Sequence, residues 1–98
     1  MGDERTADRR IEIEVEGGRV VAWEYGSGDD VLLLLNGGPG LPCDYLRDAH
    51  GFLADRGLRV VAFDQLGCGA SDRPDDPALW TIERYAREVE TVRTALGL

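Results

Sequence analysis

Two cysteines and one histidine are all that the 98 residues offer for disulfide or metal chemistry. Cys43 and Cys68 are too few for a disulfide framework, and His50 beside them does not make a metal site. Both are read as reduced thiols, and neither a metal nor a cofactor is expected. Positive charge is scarce as well. Eleven basic residues face nineteen acidic ones, a net charge of −8, which repels a phosphate backbone and disfavours nucleic-acid binding. Long apolar stretches are missing, and residues 1–10 form a polar, charged leader that reads neither as a secretory signal nor as a membrane anchor. A cytoplasmic protein with no membrane partner is expected. There is no internal repeat and no low-complexity tract.

What is present fits a folded α/β protein: 43% apolar residues, 31% charged residues and 13 glycines. The length allows one domain or part of one. Ile11 to Val15 alternates apolar and acidic residues, Gly17-Gly18 turns, and Arg19 to Tyr25 follows as a second strand, which predicts an antiparallel hairpin. Val31 to Leu35 is an unbroken apolar run of strand length. That pattern predicts a parallel strand buried on both faces, because a sheet with one wet face would alternate. A helix is expected next, with Asp44 as its N-cap, Tyr45, Ala49, Phe52 and Leu53 as its apolar face, and Gly57 as its stop. Arg59 to Asp64 reads as a second buried strand, completing a strand-helix-strand unit. Thr81 is placed to cap a last helix, with Trp80 and Tyr85 as a hydrophobic staple and Ile82, Tyr85, Val89, Val92 and Leu96 as its apolar face.

Two glycine-rich stretches directly follow the two apolar strands, where open α/β sheets place their active sites. The first is Asn36-Gly37-Gly38-Pro39-Gly40. Adjacent glycines let backbone N–H groups approach a ligand closely, and Pro39 directs the chain while offering no donor of its own. Gly-Gly-Pro-Gly is also a tight-turn pattern, but its position after the strand favours an oxyanion-binding loop. The second is Asp64-Gln65-Leu66-Gly67-Cys68-Gly69-Ala70-Ser71. Its spacing is G-x-G-x-S, whereas a nucleophile elbow requires G-x-S-x-G, so Ser71 is not nominated as nucleophile. A dinucleotide fingerprint would need a glycine where Asp72 stands. Cys68 has no basic neighbour in sequence to lower its pKa, and His50 sits inside a helix, away from the strand ends.

The order and spacing of strand, Asn36-Gly37-Gly38-Pro39-Gly40, helix, and Asp64-Gln65-x-Gly67-x-Gly69-x-Ser71 with Arg73-Pro74 resemble the proline iminopeptidases and related amino-acid amidases, which are α/β-hydrolases. The resemblance covers residues 11–98 as the N-terminal portion of the hydrolase core. It implies that the Gly37 amide is an oxyanion donor within a loop shared with Gly38. It further implies that Asn36, Pro39 and Gly40 contact substrate, and that Asp64, Gln65, Gly67, Gly69 and Ser71 support the site. Asn36 stands where the family usually has histidine and cannot carry a proton.

The family's serine elbow, helical lid, aspartate and histidine have no counterpart in these residues. The resemblance therefore implies a complementary C-terminal polypeptide carrying them, with the chain inactive alone. It also implies small peptide, amide or ester substrates, cleaved at a free amino-terminal residue. The resemblance further implies a strand of that polypeptide beside Val31 to Leu35, opposite Arg59 to Asp64, without which a bare apolar edge would pair with other chains or aggregate. Two rivals are a non-catalytic fragment that binds a partner through its open edge, and a phosphate binder at Gly37 to Gly40, which the acidic composition disfavours.

Overall fold

The computed structural model describes residues 6–35 and 42–98. Four strands form one mixed sheet: β1 (Arg9–Val15), β2 (Gly18–Tyr25), β3 (Asp30–Leu34) and β4 (Leu58–Asp64). Their spatial order is β1-β2-β4-β3. The hairpin β1-β2 is antiparallel, with Ile13 opposite Val20, and its turn is made by Gly17 at φ 104°. β2 pairs antiparallel with β4, and β3 pairs parallel with β4, setting Leu34 beside Ala62. The chain therefore places β3 at an edge and returns β4 into the gap between β3 and the hairpin.

Because side chains alternate along a strand, the sheet divides its apolar residues between two layers. Ile13, Val20, Ala22, Phe63 and the half-buried Leu33 pack with Leu66 and Val92 on one face. Tyr25, Leu34, Val60, Ala62 and the half-buried Leu32 pack with Cys43, Leu46, Leu53 and Ala54 on the other. One helix covers each face: α1 (Asp44–His50), continued by a 3-10 turn over Gly51–Arg56, and α2 (Ile82–Ala95). A shorter 3-10 turn, Pro77–Leu79, precedes α2. β3 has core contacts on both faces, as its composition predicts. Yet Val31 is 40% exposed and Leu35, just past the strand, is 53% exposed, because no described strand pairs with the outer edge of β3.

The first helix departs from expectation at its start and in its facing. The N-cap position is held by Cys43, whose carbonyl accepts from Leu46 N and Arg47 N at 3.0 Å, while the Asp44 carboxylate accepts from Tyr45 N. The sequence carries two apolar stripes at helical spacing. Tyr45, Ala49 and Phe52 point outward, and Cys43, Leu46 and Leu53 face the sheet. A free cysteine behaves as a small hydrophobe, which makes the second stripe continuous. The Arg47 guanidinium also lies 3.9 Å over the Trp23 ring of β2, fixing the same orientation. Gly57 ends the segment at φ 86°, as expected of a left-handed stop.

The second helix starts as the sequence predicts. The Thr81 hydroxyl accepts from Arg84 N at 3.1 Å, and the Trp80 and Tyr85 rings stack with centroids 6.3 Å apart. Its inner face differs. Val92 is buried and Val89 and Leu96 pack against the core, but Ile82 is 77% exposed and Arg84 and Glu88 are buried instead. Their charges are compensated by pairing with each other and by backbone partners, the condition under which charged side chains occupy an interior.

Candidate active site

β3 and β4 are parallel neighbours, so both strands end on the same side of the sheet. The five residues Asn36, Gly37, Gly38, Pro39 and Gly40 lie outside the described residues. The structure resumes at Pro42, and Cys43 is tied at once to the second stretch. The Asp64 carboxylate accepts from Cys43 N through Oδ1 at 2.7 Å and from Ala70 N through Oδ2 at 2.8 Å. A single buried carboxylate thus joins the start of α1, three residues beyond Gly40, to the loop after β4. Charge-assisted bonds of this length are among the stronger ones available.

The loop after β4 is held at nearly every polar group. The Ser71 hydroxyl donates to the Asp64 carbonyl at 2.6 Å and accepts from Val21 N at 2.9 Å. Gly67 N donates to Asp72 O at 2.8 Å, Cys68 N to Gln65 O and Ser71 N to Cys68 O, both at 3.0 Å. Asp72 in turn exchanges bonds with Arg19 of β2 through its backbone N–H and its carboxylate. Gln65 is buried in the same loop.

Two glycines are required here for different reasons. Gly67 adopts φ 93°, and a Cβ on it would stand 2.9 Å from the Trp80 ring. Gly69 adopts φ 50°, and a Cβ there would come within 2.1 Å of Asp64 Oδ2. The glycines of the second stretch therefore shape the loop around Asp64 and Trp80.

Both thiols are chemically quiet. Burial, reinforced by the Asp64 charge, pushes Cys43 and Cys68 above the ordinary thiol range. Cys43 is fully enclosed and Cys68 nearly so. Since the thiolate is the reactive form, iodoacetamide at neutral pH is expected to leave both unmodified in the native protein and to alkylate both after urea unfolding. Intact mass reads the outcome directly. His50 turns Nδ1 toward the Leu46 carbonyl at 3.1 Å within its own helix. Among the described residues no group of His, Cys, Asp and Glu could hold a metal ion.

Sequence reasoning missed the charged pair beneath this loop. Arg84 Nη2 donates to Glu88 Oε1 at 2.7 Å, Nε to Leu79 O at 2.6 Å and Nη1 to Glu16 O at 3.0 Å. Glu88 accepts from Leu66 N at 3.2 Å. Burial lifts the Glu88 carboxyl above its ordinary range, against the pull of Arg84 and the Leu66 amide. The available signal was the spacing 84, 88, 92, which puts both charges on the helix face that also carries Val92.

Residues 30–98 match the sequence profile of the alpha/beta hydrolase fold. The chain belongs to that family. It is 41% identical over 88 residues to a proline iminopeptidase of Heyndrickxia coagulans, covering 88% of this chain and 30% of the relative. To a proline iminopeptidase of Flavobacterium johnsoniae it is 37% identical over 90 residues, covering 89% of this chain and again 30% of the relative. The chain thus spans just under a third of the length of these curated relatives. Among solved structures, proline iminopeptidase of Mycobacterium smegmatis superposes with a TM-score of 0.80 at 26% identity, over 92% of this chain and 32% of that one. Epoxide hydrolase VrEH1 of Vigna radiata gives the same TM-score at 28% identity, over 96% and 30%. The backbone is thus common to hydrolases with different reactions, and the sequence relatives narrow the comparison to proline iminopeptidases. Among the described residues, no helix is long and apolar enough to cross a membrane.

Proposed function

We propose that this chain contributes the oxyanion loop and its scaffold to a serine aminopeptidase of the proline iminopeptidase kind. The observation that carries this reading is the Asp64 carboxylate, which binds the segment leaving the Asn36 to Gly40 stretch to the loop after β4. Preorganised donors are effective only if their loop is fixed before the substrate arrives, and Asp64 supplies a fixed anchor three residues past Gly40. The proline iminopeptidases among the sequence relatives supply the substrate class.

In this mechanism a serine on a complementary polypeptide attacks the carbonyl carbon of the amino-terminal residue, and its proton passes to a histidine of the same polypeptide. The negative charge on the carbonyl oxygen is met by the Gly37 N–H, with Gly38 completing the loop. Collapse expels the amine, which takes the proton from the histidine, and water then releases the acyl group. Asn36, Pro39 and Gly40 line the substrate side. The complementary polypeptide pairs a strand with the free edge of β3, covering Val31 and Leu35. Two enclosed, unoxidised thiols suit a cytoplasmic setting.

The test is amine release from prolyl arylamide and from its N-blocked analogue by a preparation in which both polypeptides are verified by mass. The free-amine substrate is expected to be cleaved and the blocked one spared. No release from either would sink the catalytic reading in favour of a binding module that uses the same sheet edge.

A further inference from the structure

We propose that Arg84 and Glu88 are positioning residues for the loop after β4, acting through the Leu66 amide. The inference deepens the proposed function and rests on it in one respect, that this loop supports the active site. The geometry itself stands on the described contacts. Leu66 is the second residue past β4, and its N–H is taken by Glu88 at 3.2 Å, a partner on a different layer of the molecule. Glu88 is in turn fixed by Arg84, which reaches the hairpin turn at Glu16 and the 3-10 turn at Leu79. The hairpin turn and the loop after β4, both remote in sequence, therefore meet α2 and the 3-10 turn just before it at one ion pair. From the other side, Asp64 binds Cys43 and Ala70. The loop is gripped below at Leu66 and above at Asp64, and the lower grip sets how far Asp64 can carry Cys43.

A buried pair is not needed for stability as such, since apolar residues of similar volume often replace one without loss. What apolar residues cannot supply is an acceptor for the Leu66 N–H. Stability and loop positioning should therefore separate in the double variant R84M/E88L. It is expected to lose no more stability than the unmet Leu66 N–H accounts for, while the amides of Leu66, Ala70 and Cys43 lose protection from hydrogen exchange by ~10-fold or more and Val61, in mid-β4, falls only with the global stability. V92A, which loosens the same core cluster as Leu66 but removes no polar partner of the loop, serves as the control and should move the four amides together.

Should R84M/E88L fail to fold, E88Q is read in the same way. It keeps an acceptor at Leu66 but loses the charge, and is expected to loosen Leu66 and Ala70 by several-fold relative to Val61. Unchanged relative protection in whichever variant folds would overturn the proposal. The readout uses no substrate, so its failure is distinct from failure of the proposed function, which the arylamide assay decides.

Discussion

Glu88→Ala is expected to destabilise the fold by about 3–5 kcal/mol, because it leaves the Arg84 guanidinium buried and without its counter-charge. The residual bonds from Arg84 to Leu79 O and Glu16 O do not neutralise the charge, and the Leu66 amide loses its acceptor in the same step. Domains are typically held by roughly 5–15 kcal/mol in total, so the loss is a large share of the stability. Urea denaturation followed by circular dichroism measures the difference. A loss below about 1 kcal/mol would mean that Arg84 finds water or another partner, and that the pair is not closed as described.

Asp64→Ala is expected to cost about 1–3 kcal/mol, since the buried Cys43 N–H loses its acceptor, while the part-buried N–H of the exposed Ala70, which shares it, can turn to water. Asp64→Asn should cost less, because the amide retains one acceptor oxygen but cannot serve both donors. A second variant tests the geometry independently of the energy. Gly69→Ala places a methyl against Asp64 Oδ2 in the wild-type protein and should be strongly destabilising there. In the Asp64→Ala background that clash is gone, so only the smaller strain of alanine at φ 50° remains. The two substitutions should thus be non-additive, as residues in contact are. Additive losses would show that Gly69 and Asp64 do not touch.

Much of the fold was legible because its cues are local. The alternation in Ile11 to Val15, the glycine pair at 17 and 18, and the apolar runs at 31–35 and 60–63 each name a strand from its own residues. Thr81 with Trp80 and Tyr85 names a helix start in the same way, and the cap and the stacked rings are present. The errors arose where a remote contact decided the outcome. Asp44 has the chemistry of an N-cap, yet Cys43 takes that position with its N–H committed to Asp64, twenty-one residues away. Tyr45, Ala49 and Phe52 form a sound helical stripe, but a second stripe through Cys43 and Leu46 reaches the core first. Residue type alone directs the apolar Ile82 inward and the charged Arg84 outward. The structure reverses both, since Arg84 finds partners in Leu79, Glu16, Glu88 and the Tyr85 ring while Ile82 stays exposed.

For the candidate site, glycine spacing and position after each strand drew attention to both stretches, and residue type alone singled out Asp64 and Ser71. What each of them binds depends on the pairing of β4 with β2 and β3, which brings Val21 and Cys43 within reach of the loop. No periodicity in one segment encodes that.

The most direct measurement is labelling of this chain together with the polypeptide proposed to carry the nucleophile, with a serine-reactive fluorophosphonate, read by intact mass and peptide mapping. A single adduct on a serine of the complementary polypeptide, and none on Ser27 or Ser71 of this chain, is the expected result. An adduct on Ser71, or no adduct anywhere in the assembled preparation, would contradict the assignment of this chain as the oxyanion-bearing part of a serine hydrolase.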